Sequence, residues 1–257
     1  MKTKIIVAAS TVLLSILVTA CGGGGSTGSN TTQVPSLSAE GVYEGTISNG
    51  KIHNTLVLEN DQFYTLYGTA ISGGGIAVTG FLQGTGKSNN GSFSSSDLKD
   101  FFANGTVVSG SLNASYVAKT NLSGTATEGN TTVTFTGTSP LKNSLYVYDS
   151  AANPADINGA WSLTDLQGTP VALNITASGT LTGSSGGCSF NGTIKPRASG
   201  KNVFDVAIVF GASPCRLAGQ SASGIALNYI IPNGKRQFIL AGTDTLRTSG
   251  TGLLGTR

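Results

Sequence analysis

"IALNYIIPNGKRQFILAG", residues Ile225 to Gly242, holds two apolar runs on either side of Pro232-Asn233-Gly234. In the first run Ile225, Leu227, Tyr229 and Ile231 alternate, so a strand points them to one face. Asn233-Gly234 predicts a type I′ hairpin, because both residues tolerate positive φ. Pro232 lacks a donor and belongs at a strand end or edge. Just upstream, "NVFDVAIVF" (Asn202–Phe210) repeats the alternation, with Phe204, Val206, Ile208 and Phe210 on one face. Asp205 falls on the other face, outward or paired with a lysine or arginine. The sequence expects antiparallel β structure here.

The first half reads the same way. "GVYEGTIS" and "KIHNTLVLE" flank Asn49-Gly50, and "LENDQFYTLYG" turns at Asn60-Asp61. "GSLNASYVA", "TTVTFTG" and "SLYVYD" follow as further strands. One segment departs from the pattern. In "SSDLKDFFANG", Ser96 caps a short helix with Leu98, Phe101 and Phe102 on one face, or the stretch is a loop pinned by its aromatics. No long segment carries a 3.6-residue period, so the expected fold is all-β.

"GVYEGT" at Gly41 and "GAWSLT" at Gly159 open the two halves alike, 118 residues apart. The reading is two related β domains, residues 39–150 and 157–257, with the boundary in "YDSAANPADING" (Tyr148–Gly159). Many short antiparallel strands need protected edges, which closure into barrels or pairing into sandwiches supplies. An aromatic after Gly-x on the first strand resembles the opening of lipocalin-like and streptavidin-like barrels. That resemblance implies that Tyr43 and Trp161 plug one end of each barrel.

The chain opens "MKTKIIVAASTVLLSILVTAC". Lys2 and Lys4 precede an uncharged run from Ile5 to Ala20, shorter than the ~20 residues of a spanning helix and suited to a signal peptide over residues 1–20. "VTAC" resembles the lipobox of bacterial lipoproteins. The resemblance implies lipidation of the Cys21 thiol, cleavage before it, and acylation of the new amine with a chain such as palmitate. Three chains anchor firmly, since each buried methylene contributes ~0.8 kcal/mol. Gly22, where an aspartate favours inner-membrane retention in that family, implies an address in the cell outer membrane. Residues 21–38 are rich in glycine and serine and form a flexible tether with a reach on the order of 20–25 Å.

Removing Lys2 and Lys4 takes the formal charge from +3 to +1. No basic stripe is present, so nucleic acid is not an expected partner. Charged residues make up only 11% of the chain and glycine 37 positions, a pattern familiar in exported β proteins. With Cys21 lipidated, Cys188 and Cys215 remain as an even pair in an oxidising compartment, and a disulfide between them is expected. The bond should join loops or strand ends, because two strand spacings exceed the reach of a disulfide.

Catalytic and metal chemistry find little purchase. His53, the lone histidine, reads as a half-exposed strand residue. No nucleophile elbow and no phosphate cradle are present. Asp97 and Asp100 share a helical face in the short-helix reading, and Asp244 reads as a solvated strand-end residue. No catalytic, cofactor-binding or metal-ligating residue is assigned, and no enzyme is expected. The remaining candidate is a surface: Tyr64, Tyr146 and Tyr148 on alternating strands form an exposed aromatic strip that binds a protein or sugar, or else pack across strands. The expected function is a cell-envelope lipoprotein acting as a structural or interaction module, with its membrane anchor and an envelope protein or glycan as partners. The alternative is a small-ligand or glycan-binding β-barrel lipoprotein. Small inward residues, as in "GIAVTGFLQGTG", would leave the cavity that the alternative needs, and large ones would fill it.

Overall fold

The computed structural model describes residues 37–71, 76–142 and 144–257. The signal peptide, Cys21 and nearly all of the tether lie outside the described residues. The rest forms two closed antiparallel barrels of eight strands each.

The first barrel runs β1 (Gly41–Ile47), β2 (Ile52–Val57), β3 (Gln62–Ala70), β4 (Ile76–Thr85), a side strand β5 (Lys87–Asn89), β6 (Ser92–Phe102), β7 (Val107–Val117), β8 (Asn121–Glu128) and β9 (Thr131–Thr138). Neighbours in sequence pair, β4 skips β5 to pair with β6, and β1 closes on β9. The second runs β10 (Gly159–Asp165), β11 (Pro170–Ile175), β12 (Thr180–Ser185), β13 (Cys188–Pro196), β14 (Phe204–Phe210), β15 (Ser221–Ile230), β16 (Arg236–Asp244) and β17 (Gly250–Thr256), with β10 closing on β17. Closure, rather than a sandwich, protects the edges.

The hairpin read from "IIPNGKRQ" joins β15 to β16, with a different turn. Gly234 N–H bonds Ile231 O and Ile231 N–H bonds Lys235 O, both at 2.9 Å, and of the turn residues only Gly234 has positive φ. Pro232 fixes φ near −65°, which a type I turn accepts and type I′ forbids. The left-handed position therefore moves to Gly234.

The same turn recurs at Ile47–Lys51 and Asp165–Thr169, again 118 residues apart. The offset continues without a gap. β2 and β11 have the same length, and the next turns, at Leu58–Gln62 and Thr176–Thr180, carry the same pair of backbone bonds. Asp61 takes the positive φ that Gly179 takes in the repeat. The opening device is also shared. Tyr43 Oη donates to Ala39 O at 2.8 Å, and Trp161 Nε1 donates to Ile157 O at 2.7 Å, each four residues back. Both rings are buried inside their barrels. The two barrels are structurally related from residues 39 and 157 onward.

"SSDLKDFFANG" is neither helix nor loop but the second half of β6. A bulge between Ser95 and Leu98 inserts one residue against β7. Phe93, Ser95, Leu98 and Asp100 thus point inward, while Phe101 points outward into the core between the barrels, so the apolar residues read as one helical face are split across both faces of the strand. "SLYVYD" keeps its alternation, with Tyr146 and Tyr148 buried and Leu145 and Val147 exposed. It pairs in no sheet. It is an extended strap between the barrels, held by Leu145 N–H to Ile230 O (3.0 Å) and Asn202 N–H to Tyr148 O (2.9 Å).

Each barrel has its own interior core. A third core lies between them. Val42, Leu56, Tyr64, Leu66, Phe81 and Phe101 leave the outer face of the first barrel to meet Ile225, Leu227, Tyr229, Ile239 and Ala241 of the second, with Tyr146 and Tyr148 of the strap. β15 and β16 are therefore buried on both faces. Polar contacts rim this core. Arg247 reaches from the β16–β17 loop to Asp97 Oδ1 (2.6 Å) and to the carbonyls of Gln83 and Asp97 (both 2.7 Å). Arg197 pairs with Glu59 at 2.9 Å and with Asp205, the outward aspartate of β14. Asp149 of the strap takes Lys119 and Lys201, one from each barrel, both at 2.7 Å. Residues from Pro35 to Arg257 form one compact unit.

Cys188 begins β13 and Cys215 lies in the loop before β15. The two are disulfide-bonded with Cα atoms 4.5 Å apart. The loop folds over the barrel rim, where Gly211 N–H bonds Ser189 O at 2.8 Å. Away from the interface the second barrel faces outward with Ser162, Thr164, Asn174, Thr182 and Ser184, a hydrated surface. Among the described residues no helix is long and apolar enough to cross a membrane.

Candidate functional site

The expected aromatic strip is not exposed. Tyr64, Tyr146 and Tyr148 do come together, but in the core between the barrels, where none is more than 7% exposed. Tyr146 packs edge-on against Tyr229 at 5.7 Å between centroids and donates to Asn202 O at 2.6 Å. The Lys201 ammonium sits 5.3 Å from the centre of the Tyr148 ring. Period-two alternation separates two faces of a strand but carries no signal that a second barrel covers the outer one.

The small residues of β4 do not leave a large calyx. A Cβ at Gly80 or Gly84, or at Gly86 just beyond the strand, would run into the rings of Tyr67, Phe63 or Phe93, so the glycines are slots for aromatics from neighbouring strands. What remains in the first barrel is a cavity of about 40 Å³, lined mostly by apolar side chains. That is room for about two or three waters.

A polar file crosses this interior. His53 is buried, not half-exposed. Its Nε2–H donates to Thr136 O at 3.0 Å, which leaves Nδ1 to accept from Thr55 Oγ1 at 3.0 Å, and Thr55 in turn contacts Thr65 Oγ1 at 2.9 Å. Burial lowers the His53 pKa and keeps the ring neutral. The repeat has Val171, Leu173 and Gly183 at these three positions, so the polarity belongs to the first barrel alone.

At the mouth of that barrel, Asp100 is only 3% exposed. Tyr67 Oη lies 2.7 and 2.8 Å from its two carboxylate oxygens, and Glu128 hydrogen-bonds to it from β8. Burial pushes the Asp100 carboxyl up to about 7, and the Glu128 pKa is raised for the same reason, so the pair holds a proton below about pH 7. The Lys51 ammonium covers the Tyr67 ring at 4.8 Å. Asp97, expected on the same face as Asp100, points instead to Arg247.

Asp244 is buried, not solvated. Its carboxylate accepts from Ser249 N–H at 2.6 Å and Thr248 Oγ1 at 2.9 Å, closing the β16–β17 turn. Burial raises its pKa, but these hydrogen bonds outweigh burial and leave it lowered. Among the described residues, no three His, Cys, Asp or Glu side chains converge as metal ligands.

A polar recess of about 190 Å³ lies at the Trp161 end of the second barrel, roofed by the chain from Ser150 to Asp156. Asn228 and Arg236 rise from the β15–β16 hairpin, and Asn202 and Phe204 from the start of β14. Arg236 Nη1 donates to Asn228 Oδ1 at 2.8 Å and Nη2 pairs with Asp156 Oδ1 at 3.2 Å. Below, Arg257 stacks over Trp161 at 4.0 Å from the ring centre. None of these residues was singled out from sequence as a site. The available signal was Asn228, a lone amide in the apolar run from Ile225 to Ile231.

No protein-family model and no curated protein matches the chain. Similar solved structures include transferrin binding protein B from serogroup B Neisseria meningitidis, at 9% identity over 82% of this chain with a TM-score of 0.23. A mutant of transferrin binding protein B from Haemophilus parasuis Hp5 aligns at 8% identity over 82% with a TM-score of 0.24. This chain covers 64% and 65% of those two chains. Overlap at that level carries no functional information.

Proposed function

We propose that this chain is a lipid-anchored cell-envelope protein that acts by binding, holding a rigid two-barrel body on a flexible tether. The observation that carries the reading is the core between the barrels. Because the outer faces of both barrels and the strap bury each other, the barrels move as one body. A partner touching both meets a surface already ordered, which removes an entropic cost of association. The largely filled interior of the first barrel supports a contact surface outside it. A binding role, rather than a catalytic one, also fits His53, whose two ring nitrogens are both engaged by structural partners.

The anchor rests on the sequence around Cys21. Cys21→Ser should abolish incorporation of an alkyne-tagged fatty acid and release the protein from outer-membrane fractions. A variant still membrane-bound and processed would overturn the anchoring. The binding role is tested in cells with a photo-crosslinking residue at Leu145 or Leu246, which are 73% and 79% exposed. A discrete adduct at either position is expected. Its absence there and across the hydrated outer strands of the second barrel would refute a protein partner.

A further inference from the structure

We propose that the recess at the Trp161 end of the second barrel binds one uncharged pyranose, either a free sugar or the end residue of a glycan. The inference deepens the binding role proposed above but needs neither the anchor nor a protein partner.

Size is the first argument. On a measure where one water needs ~10–15 Å³, about 190 Å³ accommodates a ligand on the order of a dozen heavy atoms. A single pyranose with its hydroxyls is of that size.

The wall chemistry is the second. Asn153 uses its side-chain oxygen to accept from Ala155 N–H, leaving its NH2 as a donor. Asn202 uses its NH2 on Val147 O and Ser150 Oγ, leaving its oxygen as an acceptor. Asp156 gives one oxygen to Arg236 and keeps the other. The recess thus offers donors and acceptors side by side. A hydroxyl both donates and accepts, so adjacent hydroxyls on a ring satisfy such a wall. A phosphate or carboxylate only accepts and would face the oxygens of Asn202 and Asp156. An ammonium only donates and would face Arg236 and the Asn153 NH2. The Asp156–Arg236 pair also leaves the lining without net charge.

Preorganisation is the third argument. Asn228 is anchored at both ends, its Nδ2 donating to Gln237 O at 3.1 Å while Arg236 fills its oxygen. Arg236 is fixed in turn between Asn228 and Asp156. Phe204 provides an apolar floor and the exposed Leu145 an apolar rim for the C–H face of a sugar.

The test uses the full chain in detergent and saturation-transfer NMR with D-glucose, D-galactose and D-mannose. At least one should bind saturably with a Kd of roughly 1 mM, ordinary for a single small ligand making few contacts. Ala151→Trp fills the recess from its exposed roof without removing a hydrogen bond and should weaken that binding at least tenfold. Asp156→Asn should weaken it by several fold. Methyl glycosides separate the two sources: a glycan end still binds with its anomeric oxygen capped, whereas a free-sugar site does not. Absence of saturable transfer from all three sugars up to ~50 mM, or unchanged binding in folded Ala151→Trp, would overturn the site. A preference for glucuronate or glucosamine over the neutral sugars would overturn the assignment to an uncharged ligand. Crosslinking at Leu246, which is not part of the recess, is independent of these results, so the two proposals fail separately.

Discussion

Phe81→Ala tests whether the two barrels are one body. Phe81 is fully buried on the outer face of β4 and stacks on Phe101, with ring centres 4.7 Å apart and planes 14° apart. Gly250 of the second barrel lies against both rings, so close that a Cβ there would collide with them. Truncating a buried phenylalanine costs about 3–5 kcal/mol through lost transfer energy and the cavity left behind. For a chain of this size that lowers Tm by about 6–20 °C. Were the interface loose, the ring would already meet water and its removal would cost under ~1 kcal/mol. Differential scanning calorimetry separates the cases. The wild type should unfold in one transition with equal calorimetric and van't Hoff enthalpies, and Phe81→Ala should shift it whole. Two resolved wild-type transitions, with the variant shifting only one by a degree or two, would refute the shared core.

Tyr43→Phe and Trp161→Phe should each destabilise by about 1–3 kcal/mol in urea titrations, because each strands a buried carbonyl, Ala39 O or Ile157 O. Asp100→Asn should flatten the pH dependence of stability. The folded state holds the proton up to about pH 7 while the unfolded carboxyl releases it near 3.8, so wild-type stability is full at low pH and falls as pH rises through that window. His53 acts in the opposite sense below 6.5, where only the unfolded state gains its proton, so the informative quantity is the difference between variant and wild type in melts from pH 4 to 8. Replacing Cys188 and Cys215 together by alanine should cost about 3–4 kcal/mol from the 27-residue separation they close, read from denaturant midpoints.

The barrel strands were legible where one face was inward and hairpin chemistry marked the ends. "NVFDVAIVF" and "IALNYII" alternate as read, and Cys188 and Cys215 meet at the rim as their turn-forming neighbours required. The 118-residue offset was visible at Gly41 and Gly159, but its gapless continuation was not. The turns at Leu58 and Thr176 share backbone geometry through different residues, Asp61 in one and Gly179 in the other. Helical spacing at Leu98 and Phe101 misled because both faces of β6 are buried there, Leu98 inside the barrel and Phe101 outward against the second barrel. "SLYVYD" misled because alternation records two environments, and a strap wedged between barrels has two environments without a sheet. The sites were least legible. His53, Asp100 and Asp244 are buried by partners distant in sequence, and polar residues of that kind carry no local mark of burial. The recess around Asn202, Asn228 and Arg236 depends on a roof from the inter-barrel segment, which local patterning does not position.

The chain enters the first barrel at its stoppered end. Tyr116 Oη donates to Leu37 O at 2.7 Å, and Ala39 N–H bonds Ser88 Oγ at 2.8 Å, beside the Tyr43 ring. Tyr67, Asp100 and Glu128 occupy the opposite end, a strand length of roughly 30 Å away. A tether of the kind proposed above would therefore attach at this sealed end. The carboxyl pair would then lie at the barrel end remote from the point of attachment, farther along the chain's own axis than the sealed base.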